Sequence, residues 1–370
     1  MGDFDKHEAT EQELACTGCG ATLKFKPGTA SLKCDYCGAM VEIPKPEGAV
    51  EELDFNKVVS EQLGKEEKLQ IATVKCTSCG ASSTMKPNVT SDLCPFCGVA
   101  LVLKDGSTST VFKPKSLLPF RIDQKAGLVA FQNWVKKLWF APSKLKQYAE
   151  ASDKLAGLYI PYWTYDANTS SSYTGQRGDY YYVTESYTTT EGGKTVRKTR
   201  QVRKIRWTFV AGHVSNTFDD VLVLASQSLP RVYADRLEPW DLGSLVPFDE
   251  KYLSGFRTES YQIDLKQGFE IARGIMDNHI RQSVRRAIGG DEQRILSLNT
   301  RYSDITFKHI LLPIWISSYR YNNKVYRFLV NGRTGEVQGE RPYSWIKIVL
   351  FILMIMAIVA GVALAVSHFQ

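Results

Sequence analysis

The sequence predicts an α+β protein with two small cysteine-rich ribbons, a mixed middle domain containing an antiparallel sheet, and one C-terminal transmembrane helix. Three observations lead to this prediction: four Cys-x-x-Cys pairs in the first hundred residues, alternating helix-like and strand-like patterns over residues 117–342, and an uncharged apolar run near the C-terminus. With 44% hydrophobic and 23% charged residues among 370, the chain has the composition of a folded protein. This composition excludes a largely disordered chain and a collagen-like chain.

The N-terminal tail, residues 1–13, carries no targeting signal that we recognise. The run MGDFDKHEAT has no apolar segment of the kind found in secretory signals, and Lys6 stands where a myristoylation motif has Ser or Thr. The net charge of +7 is a mild bias for this length, well below that of a protein that coats nucleic acid.

The eight cysteines form an internal repeat, one copy in residues 14–43 and the other in residues 73–103. In each copy two Cys-x-x-Cys pairs are separated by fourteen residues, and a glycine follows the second cysteine of every pair. The cysteines are Cys16, Cys19, Cys34 and Cys37 in the first copy and Cys76, Cys79, Cys94 and Cys97 in the second.

This spacing predicts two structural zinc sites of four cysteines each, so that the two ribbons are zinc ribbons. One Cys-x-x-Cys turn presents two thiolates to a single ion, and two such turns complete a closed tetrahedral site. The glycines can adopt φ > 0, which allows backbone N–H groups to turn toward the sulfurs. Four disulfides would require an oxidising compartment, and a redox Cys-x-x-Cys normally begins a helix in a βαβ unit. An iron site of the rubredoxin kind stays open, because thiolate ligands alone do not exclude it.

Two linkers flank the second ribbon. Residues 44–72 are acidic in their first half and predict a short amphipathic helix on Phe55, Val58, Val59 and Leu63. Residues 104–116, rich in Ser, Thr and Lys, predict a second linker into the middle domain.

The middle domain, residues 117–342, shows two helical periodicities, each followed by a Pro-x-Trp strand and a hairpin. The predicted turns are at Glu191, Gly192 and Gly193 in the first hairpin and at Asn331 and Gly332 in the second. The tetrapeptides begin at Ile160 and Leu312. We therefore predict an internal duplication with repeats at residues 120–225 and 265–342. The two helical patterns comprise Leu128, Phe131, Trp134, Val135 and Leu138 in the first and Phe269, Ala272, Met276, Ile280 and Val284 in the second.

Residues 345–367 predict a single transmembrane helix. Nineteen uncharged residues, 348–366, make a helix about 29 Å long, close to the hydrocarbon thickness of a bilayer. Tyr343 and Trp345 lie just before the uncharged run, as expected of aromatic side chains at the interface. Arg333, Arg341 and Lys347 lie on the N-terminal side, so the positive-inside rule places the preceding domains in the cytoplasm. We expect a tail-anchored, single-pass protein of the cytoplasmic (inner) membrane.

A basic run lies between Lys194 and Arg206, with seven Lys or Arg and no acidic residue. It could contact anionic lipid or nucleic acid, but the solvated face of a hairpin is the simpler interpretation. Local motifs of metalloproteases, hydrolases and phosphate-binding loops are absent. We therefore expect no catalytic residues, no cofactor other than zinc, and no enzymatic activity.

The ribbons, the phrases HILLPIW and YRFLVNGRTGEVQGERPYS, and the terminal apolar helix resemble one bacterial family. Its members are double-zinc-ribbon membrane proteins found alongside SPFH (flotillin-like) and phage-shock proteins. The resemblance implies a scaffolding role at the membrane in envelope stress. The ribbons also resemble the cysteine-rich insert of primosomal protein N' (replication factor Y), without its helicase motor.

The leading hypothesis is an adaptor that recruits protein partners to the cytoplasmic face of the lipid bilayer. SPFH-type or phage-shock proteins are the partners that the resemblance suggests. The alternative is a membrane-tethered nucleic-acid-binding protein, which the few basic residues of the ribbons disfavour. An enzyme acting on envelope lipid is a third and weaker hypothesis.

Overall fold

A computed structural model describes residues 14–44, 50–61, 68–78, 80–84, 91–96, 99–102, 108–112, 114–151, 155–321 and 324–368. The predicted tail at residues 1–13 lies outside the described residues. The strands are β1 (Lys24–Lys26), β2 (Ser31–Lys33), β3 (Met40–Glu42), β4 (Leu53–Asp54), β5 (Lys68–Lys75), β6 (Ser82–Thr84), β7 (Ser91–Leu93), β8 (Ala100–Val102), β9 (Thr108–Phe112), β10 (Ser116–Leu117), β11 (Ala156–Glu191), β12 (Lys194–Leu224), β13 (Val246–Pro247), β14 (Arg257–Thr258), β15 (Glu292–Tyr321), β16 (Lys324–Asn331) and β17 (Val337–Gly339). The helices are α1 (Phe55–Glu61), α2 (Gln124–Lys137), α3 (Ser143–Ala151), α4 (Arg231–Ala234), α5 (Leu265–Ile288) and α6 (Trp345–His368).

Three unusually long antiparallel strands organise the middle domain. β11 lies between β12 and β15, and the opposite edge of β15 pairs in turn with β4, β10 and β16. β11 and β12 form one hairpin, which turns at Gly192 and Gly193 as the sequence predicts. The mixed α+β class with antiparallel pairing is thereby confirmed.

The two Pro-x-Trp segments face each other across the β11–β15 ladder. Ile160 pairs with Leu312, and Pro161 pairs with Leu311. The order β12–β11–β15–β16 places the two strand pairs symmetrically about this ladder. Two copies related by a two-fold axis would have this order. The duplication itself stays a prediction, which superposition of the two halves would test.

Helix α5 covers one face of the long strands. Asp264 caps its first turn, because the Asp264 side chain accepts a hydrogen bond from the Gln267 N–H. The close approach of α5 and β15 to β11 explains Gly175, where a Cβ would lie 2.6 Å from the Arg294 carbonyl oxygen. The buried stripe of α5 contains the five residues that its periodicity predicts: Phe269, Ala272, Met276, Ile280 and Val284.

Helices α2 and α3 pack near the start of β11. The Gln124 side chain donates to the Leu155 carbonyl, and the Phe131 ring packs 5.0 Å from that of Phe328 on β16. The Tyr148 hydroxyl on α3 donates to the Ser318 carbonyl on β15. These contacts fix the two helices and the segment that joins them (residues 138–142), which we call the α2–α3 corner, at the end of the sheet where β11 begins and β15 ends.

The predicted linkers contain regular structure where they are described. α1 occupies residues 55–61. Its Phe55 side chain is buried, and the centroids of the Phe55 and Phe269 rings are 4.6 Å apart. The predicted Leu63 contact lies outside the described residues. β9 lies within the predicted second linker and pairs with β5.

Candidate metal centre and membrane anchor

The four cysteines of the first ribbon converge on one point. One sulfur from each of Cys16, Cys19, Cys34 and Cys37 lies within 4.8 Å of the other three. The Sγ atoms of Cys16 and Cys37 are 3.5 Å apart, as are those of Cys19 and Cys34. Each close pair joins one Cys-x-x-Cys turn to the other, so neither turn alone forms the cluster.

These distances fit a shared metal ion. Four sulfurs at about 2.3 Å from a tetrahedral ion are roughly 3.8 Å from one another, whereas the two sulfurs of a disulfide are about 2.0 Å apart. The observed 3.5 Å separations lie close to the metal-site value. The residues present therefore fit a four-thiolate metal site.

Backbone geometry holds the thiols in place. Gly20 and Gly38 adopt φ of 73° and 77°, the left-handed conformation that the sequence predicts after each pair. The Gly20 N–H donates to the Cys16 carbonyl and the Gly38 N–H donates to the Cys34 carbonyl. Each Cys-x-x-Cys turn is thus closed by a main-chain hydrogen bond.

The same backbone favours thiolates at two of the four positions. Backbone N–H groups of Cys37 and Tyr36 donate to the Cys34 sulfur and lower its pKa to about 6. Gly18 and Cys19 lower the pKa of Cys16 in the same way. Thiolates are the form that binds metal.

The first ribbon shares its core with the middle domain. The Phe25 N–H donates to the Ser254 carbonyl, and the Phe25 ring lies 5.2 Å from that of Tyr252. The Gly28 N–H donates to the Phe120 carbonyl. The ribbon is therefore a fixed part of the body rather than a separately displayed module.

The second ribbon is described at Cys76 and Cys94, which are both buried, whereas Cys79 and Cys97 lie outside the described residues. The Cys76 N–H donates to the Ala81 carbonyl as the Cys16 N–H donates to the Ala21 carbonyl. Gly80 has a φ of 74°, matching its counterpart in the first ribbon. The second four-cysteine site stays a prediction.

Helix α6 is long and apolar enough to cross a membrane over Trp345–Ala363, and none of that segment is buried in the protein. Large apolar side chains such as Ile346 and Leu350 are exposed along it. A soluble body would bury such a surface, whereas a bilayer accepts it. A membrane anchor is the function that this helix can serve.

The root of α6 is clamped to the α2–α3 corner. The Ser344 N–H donates to the Phe140 carbonyl, and the Lys347 ammonium donates to the Ala141 carbonyl at 2.6 Å. The Phe351 ring lies 5.4 Å from that of Phe140 and 6.3 Å from that of Trp139. The Trp139 side chain is 74% exposed beside the first turns of α6.

A buried lysine and its carboxylates form a cluster that the sequence did not reveal. The Lys308 ammonium on β15 lies 2.6 Å from an Asp220 oxygen and 2.8 Å from a Glu52 oxygen, with Asp166 at 3.7 Å. Burial lowers the pKa of Lys308, but the hydrogen bonds to Asp220 and Glu52 and the negative charges of Asp166 and Asp220 together raise the pKa above its usual value. Asp219 lies beside these carboxylates. Because the lysine supplies the cation, we assign no metal to this cluster.

Comparison with known proteins finds a distant relative of the chain but no family model. No family model matches the chain. A Bacillus subtilis (strain 168) protein described as "Uncharacterized protein YdjG" is 26% identical over 334 residues, which is 89% of each chain. No solved structure matches. The similarity extends over most of both chains and is not confined to the cysteine pairs.

Proposed function

We propose that this chain is a membrane-anchored zinc-ribbon adaptor or scaffold that recruits protein partners to the cytoplasmic face of the membrane. The observation that carries the proposal is the clamp between α6 and the α2–α3 corner, made by Ser344 and Lys347. A helix suited to a bilayer is thereby joined firmly to a folded body. Such a joint holds the body at the membrane surface, where partners can collect on it.

Zinc is the ion that we propose for the cysteine cluster. Its four thiolates leave no open position, which suits a structural role. The shared core of Phe25, Tyr252 and Phe120 supports that role, because it ties the ribbon's order to that of the middle domain. We propose an equivalent site for Cys76, Cys79, Cys94 and Cys97, by analogy of spacing and of backbone hydrogen bonding.

Orientation and partner class extend the proposal. The cations Arg333, Arg341 and Lys347 favour a cytoplasmic body at the inner membrane. The resemblance stated from sequence suggests partners of the SPFH or phage-shock type. We propose a binding role without catalysis, in which the metal has no open coordination position for chemistry.

Proximity labelling in living cells tests the adaptor function. A labelling enzyme is fused to the N-terminus of the full chain, and wild type is compared with a Cys76→Ser, Cys79→Ser double variant. The matched control is Thr77→Ser in the same loop. We expect wild type and control to label the same membrane-associated proteins and the cysteine variant to lose them.

Two results would contradict the proposal. One is a set of labelled proteins that is identical in wild type and in the cysteine variant. The other is recovery of the untagged chain in the soluble fraction after lysis without detergent. Metal analysis of the purified protein is the parallel measurement, with two zinc ions per chain expected and iron as the opposing result.

A further inference from the structure

The β11–β12 hairpin extends beyond the end of β15 and forms a two-stranded arm (residues 181–204). The last β11–β15 pair joins Gly178 to Glu292. From Tyr181↔Lys204 to Glu191↔Lys194 the hairpin continues with eleven further pairs, about 35 Å in length. The basic run singled out in the sequence lies almost wholly in this arm.

The root of the arm is held firmly. The Tyr180 N–H donates to an Asp291 carboxylate oxygen at 2.7 Å, and the Tyr180 hydroxyl donates to Glu292 at 2.8 Å. The Arg203 guanidinium lies 4.2 Å from the centre of the Tyr180 ring. The arm therefore leaves the body in a defined direction, and its surface is presented in advance of binding.

One face of the arm carries both acidic and basic side chains, and some of them pair with one another. Glu185 lies 3.1 Å from Lys204 and 3.5 Å from Arg200. The hydrogen bond from Lys204 lowers the pKa of Glu185. The Arg200 guanidinium also lies over the Tyr187 ring. Cations on this face are partly compensated before any partner arrives.

The opposite face, which we call the open face, has no carboxylate and is exposed throughout. Directly paired residues share a face, so the register assigns its members. The open face comprises Tyr182, Thr184, Ser186, Thr188, Thr190, Thr195, Arg197, Thr199, Gln201 and Arg203.

Three residues of the open face, Tyr182, Arg197 and Arg203, are of the types that most often bind a protein partner. Tyrosine and arginine are enriched at the energetic centres of interfaces, and Tyr182 is 63% exposed next to Arg203. Arg197 and Arg203 give this face a positive charge with no compensating acid. An acidic surface is the electrostatic complement.

Nucleic acid and lipid fit this face less well. Arg197 and Arg203 are six residues apart, about 20 Å, whereas duplex DNA carries one charge per roughly 1.7 Å of axis. Two cations over that length are sparse for a duplex. The clamped root of α6 lies at the start of β11, and Gly178 is about 70 Å further along that strand. The anchor and the arm therefore lie at opposite ends of β11.

We propose that the open face of the arm docks an acidic protein partner, whose carboxylates pair with Arg197 and Arg203 while Tyr182 packs against it. The inference rests on the proposed adaptor function and names the surface and the chemistry of the partner. The opposite face, where Glu185 pairs with Lys204 and Arg200, is left to solvent.

Photo-cross-linking in living cells tests this docking surface on the full chain. Benzoylphenylalanine replaces Tyr182 on the open face or Tyr187 on the opposite face, two exposed tyrosines of the same arm. Thr184 serves as a second open-face position. We expect a cross-linked protein from positions 182 and 184 and little from position 187, with a net negative charge in the cross-linked peptide identified by mass spectrometry.

Charge reversal provides the second measurement. Arg197→Glu combined with Arg203→Glu should reduce the open-face cross-link roughly tenfold, since two exposed ion pairs are lost and replaced by repulsion. Arg285→Glu combined with Arg286→Glu on α5 changes the net charge equally and should leave the cross-link unchanged.

Several outcomes would overturn the inference: equal cross-linking from both faces, no cross-link from either open-face position, a nucleic-acid or phospholipid adduct, a second copy of this chain, or a partner peptide without acidic residues. If the variant with Arg197→Glu and Arg203→Glu keeps every partner found by proximity labelling, the adaptor function survives but the open face is not its docking surface. If no protein is labelled in either experiment, the adaptor function fails as well.

Discussion

The β11–β12 hairpin contains a packed half and a bare half made from the same two strands. In the packed half, residues 156–178 of β11 pair with β15, and from Tyr162 onward they pair with β12 as well. Trp163 and Tyr165 are fully buried in the core that they share with α5. In the arm, pairing continues in register, but no residue described as paired with residues 181–191 belongs to a third strand. Main-chain pairing is common to both halves, so the difference between them is burial.

That difference predicts unequal stability along one hairpin. A two-stranded ribbon is marginal in water unless a third strand or a helix covers it. The packed half has both, and the arm has cross-strand pairs and cation–π contacts such as Arg203 over Tyr180. We expect hydrogen exchange to be slow in the packed half and fast in the arm.

Loss of the metal should cause the largest loss of stability, because the first ribbon shares a buried core with the middle domain. Under the proposed zinc assignment, Cys34→Ser removes one of four thiolate ligands and should destabilise the body by about 5 kcal/mol or more, because structural zinc contributes strongly to folding. Denaturant unfolding of the full chain in detergent micelles, with zinc measured in parallel, checks this.

Tyr36→Ala is the matched control for that loss, since Tyr36 is exposed between the same two cysteines. It should retain metal and stability. A Cys34→Ser protein that unfolds at the wild-type denaturant concentration would mean that the ribbon contributes little to the body.

Truncation of the α5 core should have the next largest effect. Met276 is fully buried between α5 and the long strands, and Met276→Ala should cost about 2–5 kcal/mol through lost contacts and a cavity. Protection from hydrogen exchange should fall in residues 163–175 and change little in the arm. Equal loss in both regions would show that the hairpin unfolds as one unit.

A buried carboxyl makes the packed half sensitive to pH. Glu259 is 1% exposed, its N–H donates to the Tyr159 carbonyl on β11, and burial raises its pKa to about 7. Between the ordinary value of 4.5 and 7 the folded protein holds a proton that the unfolded chain releases. Stability is therefore fully present below pH 4.5 and falls as pH rises through 7, by up to about 3 kcal/mol.

Glu259→Gln should remove this dependence, because the amide does not titrate. Unfolding free energies measured at pH 5 and pH 8 should then differ less in the variant than in wild type. A wild-type protein with the same stability at both values would contradict the assigned pKa.

The smallest effect is expected in the arm. Tyr182→Ala and Thr184→Ala should change the unfolding free energy by less than about 0.5 kcal/mol, since both side chains are exposed. Thermal unfolding of the two variants beside Met276→Ala measures the contrast. A large loss from either arm substitution would mean that the arm is covered in the native protein.

Patterns of local chemistry made much of the fold predictable. The α5 stripe follows from a 3.6-residue period, the hairpin turn from Gly192 and Gly193, and α6 from an uncharged run. The first cysteine cluster follows from Cys-x-x-Cys spacing, because two tight turns bring four sulfurs to one ion.

Long-range placement was not readable from the chain. The Lys308 cluster joins Glu52, Asp166 and Asp220, residues that are far apart in sequence, and no local pattern marks such a set. The boundary between the arm and the packed half was not predicted from the sequence either, because side chains alternate between the two faces of the strands in the same way in both. The arm begins where the pairing of β11 with β15 ends, at Gly178 and Glu292. No local sequence pattern marks that position.

Hydrogen bonds at the root of α6 couple the orientation of this helix to that of the body. A flexible linker would let the body rotate freely relative to the helix. Here Ser344 and Lys347 bind the root of the helix to the carbonyl groups of Phe140 and Ala141. A load applied at the tip of the hairpin then acts through a long lever on the apolar helix. Engagement of a partner should be detectable as a change in the tilt of that helix.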